Sequence, residues 1–175
     1  MTIIIIFFMA ITMNTPVLFD FSKNSDPNKW QVVNDGVMGG LSQGTFEVNE
    51  KGTAVFKGTI SLENNGGFSS VRYNIGKTDV LDFTKLALRL RGDGKQYQIR
   101  IRENYTDFYS YIQTFQTSGE WETIEIPLAE MYPSFRGRKL NRPNYSGASF
   151  VELTLLIGNK KPESFVLELQ KAWLK

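Results

Sequence analysis

The segment LALRLRGDGKQYQIRIR, residues 86–102, decides the fold class. Leu86, Leu88 and Leu90 alternate with Ala87, Arg89 and Arg91; Gly92-Asp93-Gly94-Lys95 breaks the run; Tyr97, Ile99 and Ile101 then alternate with Gln98, Arg100 and Arg102. Successive strand side chains point to opposite faces, so this period of two marks half-buried strands. Gly-Asp-Gly between two such runs is hairpin chemistry. The segment therefore reads as a β-hairpin with one face in a core and the other carrying Arg89, Arg91, Arg100 and Arg102.

The same pattern extends outward. GTAVFKGTISL, DFYSYIQTFQT, WETIEIPL, VELTLLIG and SFVLELQKAWL are short, apolar in alternation and bounded by Gly, Asn, Ser or Pro. Helical turns are expected only in TDVLDFTK and LAEMYPSF. The reading is an all-β, antiparallel sandwich or jelly roll of about 8–10 strands, with residues 17–21 pairing near the last strand, 165–174. At 175 residues the chain has the length of one domain, assigned to residues 17–175.

Composition narrows function. Apolar residues at 41% and charged residues at 22% are those of a globular protein, and 13% aromatics fit a β-fold or a binding surface. The chain has no cysteine and no histidine. That removes disulfides, thiolate nucleophiles, zinc–thiolate sites and the commonest general base. Asp35, Glu63 and Glu103 remain as carboxylates for a glycosidase-like pair, with a separation that sequence does not give. No phosphate-binding loop or metal-ligand cluster is present, so the chain reads as a non-enzyme without cofactor or metal. A net charge of +2 argues for nucleic acid only where basic residues cluster.

Residues 3–13 are strongly apolar but too short to span a bilayer. Three readings of residues 1–16 stay open: a poorly formed signal peptide, giving an exported or periplasmic protein; translation starting at Met13, giving a cytoplasmic one; and, third, an N-terminal anchor.

Two glycine clusters stand out. VVNDGVMGGLSQG, residues 32–44, presents Asp35, Gly36, Met38, Gly39, Gly40 and Ser42; LENNGGFSSVR, residues 62–72, presents Asn64, Asn65, Gly66, Gly67, Phe68 and Arg72. In one reading the glycines supply positive φ, Asp35 bonds amides within its own turn, and Val37 and Met38 plug the core. In another, the clusters offer amides, a carboxylate and bare backbone to one ligand. In a third, the two turns pack on each other. Residues 130–149 form the one long irregular stretch, where Arg136, Arg138, Lys139 and Arg142 interleave with Tyr132, Phe135 and Tyr145. That combination suits an acidic protein surface, a sugar or a phosphate backbone.

These residues resemble a known family. W-x-V-V-N-D-G-V-M-G-G-L-S (30–42), F-K-G-T-I-S-L-E-N-N-G-G-F-S-S-V-R (56–72), L-R-G-D-G-K-Q-Y (90–97), W-E-T-I-E-I-P-L (121–128), Phe135-Arg136-Gly137 and the closing L-L-I-G-N-K-K-P-E-S-F are similar to the complex I intermediate-associated protein family. The resemblance implies a galactose-binding-like sandwich and a non-catalytic assembly role beside respiratory complex subunits. It carries no catalytic residues over. The near-bare domain, without an Arg- and Ser-rich leader, gives the expectation of a stand-alone prokaryotic version. Three partner classes follow: a protein gripped by the arginine face and basic loop; a glycan stacked on Tyr105, Tyr109, Tyr111, Trp121 or Tyr145; and, third, nucleic acid.

Overall fold

The computed structural model describes residues 15–23 and 26–175; the apolar run at residues 3–13 lies outside them. Thirteen strands, numbered in chain order, form two sheets with no α-helix among the described residues. One sheet runs β3 (Gln43–Val48), β4 (Ala54–Ile60), β13 (Glu163–Leu174), β6 (Lys85–Arg91), β9 (Trp121–Pro127), with β1 (Val17–Asp20) also on β13. The other runs β11 (Arg138–Lys139), β10 (Tyr132–Phe135), β8 (Ser110–Gln116), β7 (Gln96–Arg102), β12 (Ser149–Ile157), β5 (Ser69–Asp79), β2 (Trp30–Asn34). Neighbours pair antiparallel throughout.

β1 pairs with the end of the last strand as expected, Asp20 opposite Lys171 and Val17 opposite Trp173. The decisive segment departs from expectation. β6 pairs with β13 and β9, whereas β7 pairs with β8 and β12, so the two runs belong to different sheets. Leu86, Leu88, Leu90, Tyr97 and Ile99 are all fully buried in the shared core. The alternation is the same for paired strands and for strands facing each other across a sandwich; the apolar sides here meet across the core. The Gly-Asp-Gly-Lys turn is therefore a corner. Asp93 pins it, accepting from Tyr97 Oη at 2.9 Å, Lys95 Nζ at 2.6 Å and the Val166 amide at 3.0 Å. The four arginines consequently lie on two opposite outer faces.

The expected helical turns are also partly replaced. Leu128–Glu130 forms a 3-10 turn, but Tyr132–Phe135 continues as strand and β5 runs on to Asp79. An aromatic cluster fixes β2: the Trp30 ring stacks on Tyr73 at 4.7 Å and on Phe46 at 4.9 Å, with Phe19 edge-on at 5.0 Å. Stacked and edge-to-face rings at these separations add to simple burial, and they place Asn34 and Asp35 at one end of the sandwich. No described helix is long and apolar enough to cross a membrane.

Candidate functional site

The connection from β2 to β3 crosses from the seven-stranded sheet to the other, and the connection from β4 to β5 crosses back. Each contains one glycine cluster. Asp35–Met38 forms a 3-10 turn closed by Gly39 at φ 88°, which only glycine adopts freely. The Asp35 side chain then turns away from its own turn and into the second cluster. Its Oδ1 accepts from the Ser42 amide at 3.0 Å, and Oδ2 accepts from the Gly67 amide at 2.6 Å, the Phe68 amide at 3.2 Å and the Ser42 hydroxyl. Ser42 Oγ is in turn held by the Ser61 amide at 3.0 Å.

Asp35 is 1% exposed. Burial pushes its carboxyl up, and the bonds from Ser42, Gly67 and Phe68 outweigh that, leaving it below the usual carboxylate value. A carboxylate has about four lone-pair positions, and protein donors supply four bonds here. The two clusters thus pack on each other around one buried charge. Gly40 and Gly66 line it: a Cβ on Gly66 would stand 2.7 Å from Asp35 Oδ2. Next to this clasp, Ser69 Oγ donates to Asn34 Oδ1 at 2.6 Å. Asn64 and Asn65 take positive φ, 54° and 59°, and are exposed, as is Gly36. The side chains of Val37 and Met38, expected to plug the core, lie outside the described set.

The 130–149 stretch is more ordered than its sequence indicates. β10 and β11 form a hairpin on the edge of the seven-stranded sheet, with Arg136 and Gly137 at its tip, φ 47° and 76°. Positive φ at both central positions fits the strand twist, though arginine adopts it at some cost. Phe135 meets Phe108 edge-on at 5.4 Å; Arg136 lies over Phe135 at 5.2 Å; Arg142 lies over Phe108 at 5.7 Å and Tyr109 at 5.0 Å; Lys139 lies over Tyr132 at 5.0 Å. Phe108 is 59% exposed. From residue 131 to 151 there is no acidic residue, and among the described residues none of Arg136, Arg138, Lys139 and Arg142 forms an ion pair; the four rest on an apolar footing.

Tyr145 is a correction. It is 3% exposed, its ring contacts Tyr111 at 5.1 Å, and its amide bonds the Met131 carbonyl at 2.8 Å. It is core beneath the basic edge, so it offers no exposed ring to a partner or a sugar. Phe108, by contrast, was invisible to sequence reasoning: it lies in a loop next to Tyr109, and nothing local marks it as exposed. Of the three carboxylates, Asp35 and Glu103 are not brought together: they sit at opposite ends of the sheet, where Ser69 pairs with Ile157 and Arg102 with Glu152.

The split arginines have separate surroundings. On the six-stranded sheet, Arg89 and Arg91 lie over the Trp121 ring at 5.8 and 5.6 Å, and Arg91 pairs with Glu168. An open groove of about 670 Å³ runs beside them, lined by Asn49, Thr53, Trp121, Glu168 and Gln170. On the opposite face Arg102 pairs with Glu152 at 3.4 Å, and Arg100 reaches Gln98. Among the described residues no group of three or more acidic side chains converges as metal ligands would.

The architecture is a galactose-binding-like jelly roll. It matches the family 11 carbohydrate-binding module from Clostridium thermocellum in complex with a β-1,3-1,4-mixed-linked tetrasaccharide, with a TM-score of 0.62 at 15% identity over 91% of this chain and 94% of that one. It also matches part of an agarase, with a TM-score of 0.61 at 15% identity over 92% of this chain and 24% of that one. At such identities the likeness carries the fold alone. The family is given by sequence: the model for complex I intermediate-associated protein 30 (CIA30) matches residues 19–169, and the chain belongs to that family. The mitochondrial complex I intermediate-associated protein 30 of Mus musculus is 27% identical over 145 residues, 70% of this chain and 44% of that protein. The chain thus spans less than half the length of this curated relative.

Proposed function

We propose that this chain is a non-catalytic binding module whose β10–β11 edge grips an acidic surface of a protein partner, and that the partner is a respiratory complex subunit under assembly. The observation that carries the reading is the exposed Phe108–Phe135 pair capped by Arg136 and Arg142, neither of which forms an ion pair among the described residues. Aromatic and arginine side chains supply most interface hot spots, and uncompensated positive charge steers acidic partners. Family membership supports the choice of partner.

Replacing Arg136, Arg138 and Arg142 together by alanine is expected to weaken partner capture by about 100-fold or more, since one arginine hot spot contributes about 2 kcal/mol. All three are exposed, so the melting temperature is expected to move by no more than about 3 °C. Affinity capture read by mass spectrometry checks this. Respiratory subunits recovered equally by wild type and variant would remove the edge from the reading.

A glycan is the second reading, favoured by the groove beside Trp121, whose ring, carboxylate and amides suit a sugar's faces and hydroxyls. Trp121→Ala is expected to abolish any glycan-array signal; an array blank with the wild type removes this alternative.

A further inference from the structure

The register of the seven-stranded sheet brings together residues far apart in sequence. Gln31 stands opposite Arg72, Arg72 opposite Thr154, Thr154 opposite Arg100, Arg100 opposite Ile112 and Ile112 opposite Tyr132. One row therefore crosses six strands on the outer face, because the residues on either side of each arginine, Val71, Tyr73, Ile99 and Ile101, point into the core. Directly paired residues lie about 5 Å apart, so Arg72 and Arg100 flank Thr154 within easy reach of each other's guanidinium groups.

Like charges so placed repel, and antiparallel sheets normally answer them with carboxylates. Arg91 has Glu168 and Arg102 has Glu152, but neither Arg72 nor Arg100 forms an ion pair among the described residues. Arg100 closes its fork on a neutral acceptor, Gln98 Oε1, through Nε at 3.1 Å and Nη2 at 2.7 Å. The floor is covered: Thr154, Leu156 and Ile112 face outward yet are only 5%, 6% and 4% exposed. Burial, with the Arg72 charge beside it, pushes Arg100 down to about 10. Two neighbouring arginines, of which Arg100 is desolvated and neither is in an ion pair, form an anion receptor even though Glu152, engaged by Arg102, reaches Thr154 Oγ1 at 3.4 Å, because an arginine fork matches a carboxylate in both shape and charge.

We propose that Arg72 and Arg100 form an oxyanion site that takes one carboxylate, presented by an acidic side chain of the protein partner. The source of the carboxylate rests on the protein-partner reading above, whereas the site itself stands on the row.

The test uses the full chain and three probes at matched ionic strength: a capped hexaglutamate peptide, inorganic phosphate and sodium chloride. At a hundredfold excess over Kd, hexaglutamate is expected to raise the wild-type melting temperature by roughly 5–11 °C. Arg72→Gln and Arg100→Gln are each expected to weaken its binding by at least about tenfold, while melting no lower than wild type without probe, because like-charge repulsion is relieved. The Arg136/Arg138/Arg142→Ala variant keeps the hexaglutamate effect even if it loses the partner, which separates failure of this site from failure of the edge. Wild-type affinity in Arg72→Gln would overturn the site, as would a lower melting temperature of either variant without probe, which would make the arginines sheet cover. Stabilisation by phosphate alone would overturn the carboxylate assignment.

Discussion

Asp35→Ala is expected to lower the unfolding free energy by about 4 kcal/mol, which for a chain of this size is a fall in melting temperature of roughly 8–16 °C. The substitution strips the acceptor from three backbone amides, Ser42, Gly67 and Phe68, and from the Ser42 hydroxyl. Donors left buried and unpaired cost more than the bonds contributed. The consequence reaches beyond one turn, because those donors belong to two of the connections that cross between the sheets, β2–β3 and β4–β5. Asp35→Asn keeps the shape but removes the charge and points an amide at other donors, so about half the loss is expected. Calorimetric melting of the three proteins decides the matter: an alanine variant within 3 °C of wild type would contradict a clasp held by this carboxylate.

The pH dependence follows with a definite sign. Burial raises the Asp35 carboxyl and its hydrogen bonds lower it further, so the folded value lies below the unfolded one of about 3.9. Such a group contributes stability that is fully present above the unfolded value and is lost as pH falls through the folded value. Asp93 is shifted in the same direction but is common to both proteins being compared. The stability gap between wild type and Asp35→Asn is therefore expected to be widest above about pH 5 and to narrow in acid. Urea titrations at pH 7 and pH 3 measure it; equal gaps would mean that Asp35 has the same proton affinity folded and unfolded.

Much of this structure is legible in the chain, and the parts that are not share a cause. Strand positions follow from alternation, and the pairing of β1 with β13 follows from apolar termini that have to meet. Alternation is silent on which sheet a strand joins. That is why Arg89 and Arg91 part from Arg100 and Arg102, although residues 86–102 look like one hairpin. Local spacing likewise favours an aspartate that bonds its own turn, but Asp35 bonds Gly67, 32 positions on. The Arg72–Arg100 row exists because β12 inserts between β5 and β7, and no short-range pattern encodes that insertion. Tyr145 sits among polar loop residues and is nevertheless buried, because the aromatic series through Tyr109 and Tyr111 ends on it.

The glycines supply the second large effect and explain why two turns carry so many of them. Gly40→Ala would drive a methyl group into the Asp35 carboxylate and to within 2.8 Å of the Gly66 Cα; Gly66→Ala would meet Asp35 Oδ2 at 2.7 Å and the Ser61 carbonyl at 2.9 Å. Neither glycine has positive φ, so the loss is steric, about 3 kcal/mol. Gly39→Ala meets nothing within 4 Å but must hold φ 88°, for about 1 kcal/mol. Gly36→Ala meets neither obstacle and is expected to be neutral or to stabilise by up to about 1 kcal/mol through the unfolded chain. If Gly40 is there to make room for the carboxylate, its substitution should hurt less once the carboxylate is gone. In the Asp35→Ala background the loss from Gly40→Ala is expected to shrink by about 1–2 kcal/mol, the remainder coming from the Gly66 backbone. Denaturant titration of the single and double variants measures that coupling. A coupling near zero would mean that Gly40 answers to the backbone alone, and the link between the two clusters would then rest on their amides and not on the room made for Asp35.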